Sequence, residues 1–478
     1  MNKRAKKTKV IATLGPASST KEIMLELVKA GADVFRINFS HADYELVKRN
    51  VDIIREINQE YGYNISILGD LQGPKLRVGV VKEGSFLNPG DVLTFTNEPC
   101  EGDSTKVFMT YEKFPQDVKV GERILIDDGK LVFEVIETNQ KDTVKAKTIQ
   151  GGPLSSKKGV NLPNTNVSLP ALTEKDIEDA KFMIENEFDW IALSFVRHAQ
   201  DIIDLKKLIQ AHSDFKIPII AKIEKPEGVK NIDEILLECD GLMVARGDLG
   251  VEVPMEEVPV IQKKLVDKAR YYSKPVIIAT QMMETMISSL TPTRAEVNDV
   301  ANNVLDGADA VMLSGETSVG KYPVDVVKNI TKIIKNIEST NLYEKKNDII
   351  EKITCVDDRF VTDMVCLNAV KIAETTGAAA IITLTHSGYT AFQISAHRPT
   401  SRIIVYSSNR RVLTMLNLLW GVRAFYYDMN KSTDETVIQV NMLTHHYKKK
   451  KKGDFVVNLN AMPVYEGGKT NTLRLTTI

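Results

Sequence analysis

The sequence predicts an α/β fold, with a (β/α)8 TIM barrel, an inserted all-β lid domain and a C-terminal α/β domain. Eight short apolar runs alternate with helical patterns over residues 9–338. This alternation breaks once, at about 73–169, where short runs are separated by Asp-Gly, Pro-Gly and Gly-Gly pairs. The chain has 478 residues, which is more than one hydrophobic core usually supports, so several domains are expected.

The eight barrel strands are predicted from apolar runs typical of parallel strands that are covered on both faces. They are predicted at 9–14, 33–39, 65–71, 190–196, 219–224, 241–247, 275–281 and 310–316. Helices are predicted between most of them, at 20–30, 42–60, 173–185, 199–211, 256–273, 293–306 and 323–338. Eight such units favour a closed barrel, whose active site lies at the carboxyl ends of the strands.

The interruption divides the predicted barrel domain into two parts, 1–72 and 170–340. Residues 73–169 are predicted as an inserted β-barrel lid domain, because short alternating runs between turn-forming pairs are typical of hairpins. An insertion after a barrel strand would lie over the mouth of the active site. A further alternation of helices and strands predicts a separate α/β domain at 341–478.

Composition and charge exclude several classes of function. The 62 Lys and Arg residues are balanced by 63 Asp and Glu residues, which disfavours a nucleic-acid partner. Four scattered cysteines without a C-x-x-C pair disfavour a zinc site or disulfides and suggest a cytoplasmic protein. No apolar run reaches the roughly 18 residues that cross a bilayer, so no membrane association is expected. Five lysines at 448–452 are interpreted as a solvated loop, with anion binding as the alternative.

Polar residues follow the predicted strands and suggest a metal and phosphate site. Glu224 and Asp248, at neighbouring strand ends, supply two oxygen ligands suited to Mg²⁺. Lys222 lies two residues before Glu224 and therefore on the same face of its strand. A purely structural ion pair is the alternative for Lys222 and Glu224. Similar polar residues end the other strands, which favours phosphoryl-transfer chemistry; they are Arg36, Asn38, Ser40, His41, Asp70, Ser194, Thr280, Ser314 and Glu316.

The chain resembles the pyruvate kinase family along essentially its whole length. The resemblance is carried, in order, by VIATLGPAS, GADVFRINFSH, GDLQGPKLR, LTEKDIEDAKF, IIAKIEKPEGV, MVARGDLGVEVP, ATQMMETM, PTRAEVNDVANNVLDGADAVMLSGET and HSGYTAFQISAHRP. It implies transfer of the phosphoryl group of phosphoenolpyruvate to ADP, which gives pyruvate and ATP in the last step of glycolysis. It also implies dependence on Mg²⁺ or Mn²⁺, a homotetramer, and a regulatory role for the C-terminal domain.

The resemblance also assigns roles to individual residues. Glu224 and Asp248 are implied as the Mg²⁺ ligands, and Lys222 as the cation that neutralises the transferring phosphoryl group and the developing enolate. Arg36 is implied to bind the substrate phosphate. Backbone N–H groups around Gly247 and Asp248 are implied to bind the substrate carboxylate at the start of a short helix. Two further roles follow: Thr280 in protonation of the enolate, and Arg77 and Lys175 in binding the nucleotide phosphates.

The chain departs from many relatives at Lys75, where they have an acidic residue. In those relatives a K⁺ ion is held by the equivalents of Asn38, Ser40 and Asp70. Here the ammonium group of Lys75 could take the place of that ion, so K⁺ is expected not to be required. The alternative is that Lys75 simply faces solvent where the barrel meets the lid.

A strand followed by a helix in the last domain predicts a phosphate-binding turn, which the resemblance makes an allosteric effector site. Its candidate residues are Thr385, Ser387, Gly388 and Thr390, with the stretch YEGGKTN at 465–471 beside them. A bare strand-to-helix turn is the alternative. His386 stands where some sugar-bisphosphate-regulated relatives have lysine, so a sugar monophosphate, a nucleotide and no effector all remain open.

Two other functions are weighed against the leading hypothesis. A metal-dependent aldolase or lyase on a similar barrel would also use a Glu and an Asp on Mg²⁺. Such an enzyme has no need for Lys222, Arg36 and a nucleotide-facing lid together. A non-catalytic relative is disfavoured, because degenerate enzymes usually lose a metal ligand or the catalytic cation and this chain has both.

Overall fold

A computed structural model describes residues 6–340, 358–428, 433–447, 453–462 and 468–477. The residues outside these ranges include 341–357 at the start of the predicted C-terminal domain, the five-lysine run at 448–452, and residues 465–467 of the glycine-rich stretch. In the described ranges, no helix is both long enough and apolar enough to cross a membrane.

Eight parallel strands form the predicted closed barrel. In chain order they are Lys9–Thr13, Val34–Asn38, Ser66–Asp70, Trp190–Leu193, Ile219–Ile223, Gly241–Ala245, Val276–Ala279 and Ala310–Leu313. The first strand pairs with both the second and the eighth, which closes the sheet. Seven of the eight strands are buried along their full length, because helices cover the outside and side chains fill the inside.

The barrel helices begin and end within two residues of their predicted limits. They are Lys21–Ala30, Tyr44–Tyr61, Glu174–Glu185, Ala199–His212, Val258–Tyr271, Arg294–Asp306 and Pro323–Glu338. Local sequence fixes several starts: Thr173 and Thr293 each form a capping box with the acidic residue three positions later. Shorter helices complete the barrel, at Pro226–Lys230, Ile232–Glu238, Arg246–Glu252 and Gly315–Ser318, with 3₁₀ turns at Phe39–His41, Met255–Glu257 and Glu284–Ile287.

The predicted strands were too long at their carboxyl ends. The strand predicted at 241–247 stops at Ala245, because a helix begins at Arg246. The strand predicted at 310–316 stops at Leu313, and a helix begins at Gly315. Several candidate site residues therefore lie on turns and first helical turns just beyond the strands.

The inserted segment is all-β apart from one short helix, Phe114–Asp117. Its strands are Phe86–Leu87, Val92–Thr96, Lys106–Phe108, Arg123–Ile126, Leu131–Thr138, Thr143–Gln150, Gly152–Pro153 and Val160–Asn161. Six of them form one sheet, and isolated bridges from Arg77 to Gly159 and from Val78 to Met109 join its two edge regions, as in a small barrel. The segment buries its own hydrophobic core, separate from that of the large barrel.

The C-terminal part contains one five-stranded sheet. In spatial order its strands are Val422–Tyr426, Arg402–Ser407, Ala380–Leu384, Phe455–Asn460 and Thr472–Thr477, of which the last is antiparallel to its neighbour. Its helices are Phe360–Thr376, Tyr389–Ala396, Arg410–Met415 and Thr433–Tyr447, with a 3₁₀ turn at Leu416–Leu418. Arg398 binds Asp309 through two bonds of 2.8 Å. Since Asp309 precedes the eighth barrel strand, this part attaches to the barrel opposite the strand ends that carry the candidate site.

Candidate active site

Lys222 is the centre of a buried polar cluster inside the barrel mouth. Its Nζ lies 2.5 Å from Ser194 Oγ, 3.0 Å from Asp70 Oδ1 and 3.1 Å from Glu224 Oε1. The contact with Asp70 is an ion pair rather than an aligned hydrogen bond. Three barrel strands supply these partners. The predicted pair of Lys222 and Glu224 is therefore present, and a second carboxylate and a hydroxyl group share the same ammonium group.

The charges in this cluster shift one another's pKa values. Burial alone would lower the pKa of Lys222, but Asp70 and Glu224 outweigh it and raise that pKa, so the ammonium group stays protonated. Burial would raise the pKa of Asp70, but Lys222 and Arg36 lower it. For Glu224 burial prevails: together with repulsion from Asp248 it raises the pKa to about 7 despite Lys222. A cation beside Glu224 and Asp248 would relieve this repulsion.

Arg36, at the third position of the second barrel strand, binds the other oxygen of Asp70. Its Nε and Nη2 lie 2.7 and 2.6 Å from Asp70 Oδ2, and its Nη1 donates to Thr13 Oγ1 at 3.2 Å. These bonds fix the plane of the guanidinium group. Asp70 thus holds the positive charges of both Arg36 and Lys222 in the same part of the barrel mouth. Two adjacent cations of this kind are suited to bind a phosphoryl group.

Glu224 and Asp248 were predicted to hold Mg²⁺, and their surroundings fit that ion. Glu224 Oε2 accepts the backbone N–H of Phe195 at 2.7 Å, which orients the carboxylate. Asp248 lies in the first turn of Arg246–Glu252, and its charge acts on both Glu224 and Lys222. Within the described residues no group of three or more His, Cys, Asp or Glu side chains could hold a metal ion. An ion here would therefore take its remaining ligands from substrate and water, as Mg²⁺ commonly does.

Thr280 lies in a strained turn after the seventh strand. Thr280 and Gln281 have φ angles of 68° and 52°, a region that non-glycine residues adopt infrequently. The hydroxyl of Thr280 accepts the N–H of Gly247 at 2.7 Å and donates to the carbonyl of Ala279 at 2.6 Å. The candidate protonation residue thus contacts the helix start that carries Asp248.

Arg246 supports this turn, although the sequence analysis did not identify it as a site residue. Its guanidinium group donates to the carbonyls of Thr280 at 2.8 Å and Gln281 at 3.2 Å. Asp299 holds the same guanidinium group with bonds of 2.6 and 2.8 Å. Arg246 lies in the quoted motif MVARGD, but no local pattern pairs it with a residue 53 positions away.

Ser314 and Glu316, two of the polar residues that follow the predicted strands, are bonded to each other through the Glu316 carboxylate. Glu316 Oε2 accepts the N–H of Ser314 at 2.6 Å, and Glu316 Oε1 accepts the N–H of Met283 at 3.3 Å. This carboxylate is buried and holds the backbone where two strand ends turn. The Glu316 carboxylate therefore supports the turns that follow the seventh and eighth strands.

The lid meets the barrel mouth at Lys75 and Arg77. Lys75 Nζ lies 3.4 Å from Ser40 Oγ, and burial together with repulsion from Arg77 lowers its pKa although Asp248 opposes this. The two cations and Asp248 line a cavity of about 230 Å³ between lid and barrel. Arg77 also donates to the carbonyl of Lys157 at 2.8 Å.

Two other residues predicted around the mouth, Lys175 and Asn38, bond to the turn Phe39–His41. Lys175, in helix Glu174–Glu185, donates to the carbonyl of Phe39 at 3.0 Å and to Asp179 at 2.5 Å, and it is absent from the lining of the 230 Å³ cavity. Asn38 Oδ1 accepts the N–H of Ser40 at 3.2 Å, so its side chain shapes the turn after the second strand.

Three of the four candidate effector residues of the C-terminal part, Thr385, Ser387 and Thr390, line one cavity of about 280 Å³. Thr385 Oγ1 accepts the N–H of Gly388 at 2.9 Å, and the φ of Gly388 is 88°, which glycine adopts readily. The hydroxyls of Thr390 and Thr470 are 2.9 Å apart. Residues 468–470 of the glycine-rich stretch line the cavity together with Thr385, Ser387 and Thr390, so the described parts of the two predicted segments are adjacent.

Comparison with known proteins gives consistent matches over nearly the whole chain. Residues 5–327 match the family model "Pyruvate kinase, barrel domain", and residues 363–476 match "Pyruvate kinase, alpha/beta domain". The chain is 40% identical to the pyruvate kinase of Mycobacterium intracellulare over 98% of each chain. It is 42% identical to that of Geobacillus stearothermophilus, over 98% of this chain and 80% of the relative. The crystal structure of a pyruvate kinase from Cryptosporidium parvum superposes with a TM-score of 0.92, at 33% identity, covering 99% of this chain and 96% of that one.

Proposed function

The chain belongs to the pyruvate kinase family, and we propose that the cluster around Lys222 is its catalytic centre. The protein is a phosphotransferase that moves the phosphoryl group of phosphoenolpyruvate to ADP and yields pyruvate and ATP, the last step of glycolysis. One observation carries the proposed site: a buried ammonium group lies within 3.1 Å of carboxylates from two different strand ends. The aldolase or lyase alternative has no support from the matched families.

Lys222 and Arg36 act on the phosphoryl group in this proposal. Lys222 stabilises negative charge on the transferring phosphoryl group and on the enolate oxygen, and Arg36 binds the phosphate before transfer. Glu224 and Asp248 would hold Mg²⁺ or Mn²⁺, which when bound supplies Lewis-acid stabilisation to phosphoryl and enolate oxygens. Phosphoryl transfer asks a protein mostly for positioning and charge stabilisation, which these groups provide.

Gly247 and Thr280 connect substrate binding to protonation of the enolate. The backbone N–H groups of Gly247 and Asp248 are proposed to bind the substrate carboxylate. Because the N–H of Gly247 donates to Thr280 Oγ1 at 2.7 Å, a carboxylate that takes this donor leaves that oxygen able to accept a hydrogen bond from water, while the O–H of Thr280 still donates to the carbonyl of Ala279. That hydroxyl then assists delivery of a proton, through water, to the enol carbon. Arg77 and Lys175 are proposed to bind the phosphates of ADP or ATP.

Lys75 is proposed to replace a monovalent cation, so that activity requires Mg²⁺ or Mn²⁺ but no K⁺. In support, its ammonium group lies 3.4 Å from Ser40 Oγ and its charge acts on Asp248 and Glu224. The acidic side chain of Asp70 in the same region is already occupied by Lys222 and Arg36.

The monovalent-cation proposal is tested by assay in buffer without Na⁺ or K⁺. The wild-type enzyme should turn over at its full rate there, and Lys75→Glu should acquire a K⁺ requirement. A matched control is Lys82→Glu, which changes an exposed lid lysine whose neighbour is Asp103. Strong activation of the wild type by K⁺ would contradict the proposal.

The overall function is tested by coupling pyruvate formation to lactate dehydrogenase. Phosphoenolpyruvate and ADP should give pyruvate and ATP in equal amounts, and removal of divalent cations should abolish both products. Release of pyruvate from a hydroxy-acid aldol substrate, without phosphoenolpyruvate or ADP, would instead favour aldolase or lyase chemistry.

The domain limits, the cellular location, the oligomeric state and the effector site of the enzyme are also proposed. The domain limits are proposed as 1–72 and 170–340 for the barrel, 73–169 for the lid and 341–478 for the C-terminal regulatory domain. The enzyme is proposed to be a cytoplasmic homotetramer, which sizing by light scattering tests. Thr385, Ser387, Gly388 and Thr390 are proposed to bind the phosphate of an effector, which a kinetic screen of phosphorylated sugars and nucleotides tests.

A further inference from the structure

Three polar side chains join the lid to the barrel beside the candidate site. Glu252 Oε1 accepts a hydrogen bond from Asn161 Nδ2 at 2.8 Å and from Lys225 Nζ at 2.8 Å. Asn161 ends the last lid strand, whereas the other two residues belong to the barrel. Lys225 Nζ also lies 3.5 Å from the lid carbonyl of Leu162. Glu252 and Lys225 are buried, so these bonds are protected from water.

Each barrel member of this trio is adjacent in the chain to a proposed metal ligand. Lys225 directly follows Glu224. Glu252 is the last residue of helix Arg246–Glu252 and lies one turn after Asp248, on the same helix face. A displacement of either barrel residue therefore moves one of the two carboxylates proposed to hold the divalent cation.

A second part of the lid lies close to the same short helix. In the turn that precedes strand Leu131–Thr138, Asp127, Asp128 and Gly129 all have positive φ angles, between 54° and 83°. A methyl group built on Gly129 would lie 4.0 Å from Cγ1 of Val251. The helix that carries Asp248 thus contacts the lid at Glu252 and lies close to it at Val251.

We infer that Asn161, Lys225 and Glu252 form a lid clamp that transmits the position of the lid to Glu224 and Asp248. The clamp makes divalent-cation affinity depend on the lid, and Asn161 is a positioning residue because it acts through Glu252. This inference rests on the proposed roles of Glu224 and Asp248 as metal ligands.

The second oxygen of Glu252 supports a clamp with more than one position. Glu252 Oε2 is buried and has no hydrogen-bond partner among the described residues, while Oε1 accepts two donors. A buried carboxylate oxygen without a donor is unfavourable. A shift of the lid that moved Asn161 from one oxygen to the other would leave the ion pair of Lys225 with Glu252 intact and satisfy both oxygens.

The test compares Asn161→Ala with Asn97→Ala in the full chain. Asn97 is a matched control, because its side-chain amide donates only to lid carbonyls, those of Glu112 and Lys141. Two quantities are measured for each protein without nucleotide: the dissociation constant of Mn²⁺, and the rate of amide hydrogen exchange over 246–252.

For Asn161→Ala, Mn²⁺ should bind about tenfold more weakly, the loss typical of one hydrogen bond to a charged group. Amide exchange in the helix should accelerate, whereas kcat at saturating Mn²⁺ should stay within about threefold of wild type, since the clamp only positions the carboxylates. Asn97→Ala should keep wild-type values for both measurements. Asn161→Gln, which keeps an amide donor, should recover most of the Mn²⁺ affinity and guards against a folding defect in the alanine variant.

The inference is overturned if Asn161→Ala binds Mn²⁺ as tightly as wild type, or if both asparagine variants weaken Mn²⁺ binding equally. Failure of the proposed function looks different. In that case the wild-type enzyme itself would produce no ATP from phosphoenolpyruvate and ADP, whatever the affinity of Asn161→Ala for Mn²⁺.

Discussion

Replacement of Lys222 by methionine removes one positive charge from the candidate site and keeps most of the side-chain volume. In the native protein the ammonium group contacts Ser194, Asp70 and Glu224. After the change Asp70 still has Arg36, whereas Glu224 keeps only the N–H of Phe195 among these contacts. The variant therefore loses the proposed donor to the phosphoryl group and leaves one buried carboxylate poorly compensated.

The expected effect on rate is larger than the expected effect on stability. Loss of one charge-stabilising donor in a water-excluded site commonly costs about 10²- to 10³-fold in kcat, or about 3–4 kcal/mol of barrier. Removal of one partner from a buried ion pair can cost about 3–5 kcal/mol of stability. That cost is reduced here, because the pKa of Glu224 is already about 7 and the group can become neutral by binding a proton.

The measurement is kcat at saturating phosphoenolpyruvate, ADP and Mg²⁺, with thermal unfolding recorded on the same samples. Lys207→Met is a suitable control, because Lys207 is exposed and its contact with Asp204 is 3.7 Å long. We expect Lys222→Met to lose at least about 10²-fold in kcat and to remain folded at the assay temperature. A near-normal kcat would remove Lys222 from the mechanism.

Two further predictions concern supporting residues. Asp299→Asn weakens the two bonds that hold Arg246 and should lower kcat about tenfold with little change in unfolding temperature, because hydrogen bonds to charged groups are worth about 1.5–3 kcal/mol. An unchanged kcat would show that the turn at Thr280 and Gln281 keeps its conformation without Arg246. Burial, aided by Arg270 and Lys371, lowers the pKa of His397 to about 4, so this side chain stays neutral in the folded state and gains a proton on unfolding below its usual pKa of about 6.5. Its contribution to stability is complete above pH 6.5 and is lost as the pH falls toward 4. The free energy of unfolding in urea should therefore fall less for His397→Gln than for wild type between pH 7 and pH 5, by about 2 kcal/mol, and equal falls would contradict the assignment.

The barrel could be predicted because its signals are local in the sequence. Apolar runs, capping residues such as Thr173 and Thr293, and the turn-forming pairs of the lid all act within a few residues of the elements they define. The final strand, Thr472–Thr477, was not predicted. It lies at the edge of its sheet and is largely exposed, so it lacks the buried apolar run that marked the other strands.

The candidate site was predicted in part for the same reason. The spacing of Lys222 and Glu224 is a local feature, and the structure brings both together with Asp70. Arg246 and Asp299, and likewise Asn161 and Glu252, are 53 and 91 positions apart. Nothing in either member of such a pair indicates its partner, because the pairing depends on how neighbouring strands and the lid meet. These contacts could be found only from the three-dimensional structure.

The balance of charge in the site explains why metal and substrate should bind together. Three carboxylates, Asp70, Glu224 and Asp248, interact with the cations of Lys222, Arg36 and Lys75. The cluster is therefore nearly neutral before any ligand arrives. A divalent cation alone would leave excess positive charge in a buried region, and an anionic phosphate ester alone would leave excess negative charge.

Each ligand consequently offsets the charge that the other introduces, so binding of one should tighten binding of the other by the same factor. The two ends of this coupling are physically distinct. Lys222 and Arg36 lie beside the region proposed for the phosphoryl group, whereas Glu224 and Asp248 are the residues proposed to hold the cation. Because Glu224 contacts Lys222 at 3.1 Å, a cation that bound Glu224 would compete with this ion pair and would leave the ammonium group more available to the phosphoryl oxygens. The ion pair of Lys222 with Glu224 would therefore be replaced by contacts of Glu224 with the metal and of Lys222 with the substrate, which is why the two should bind together.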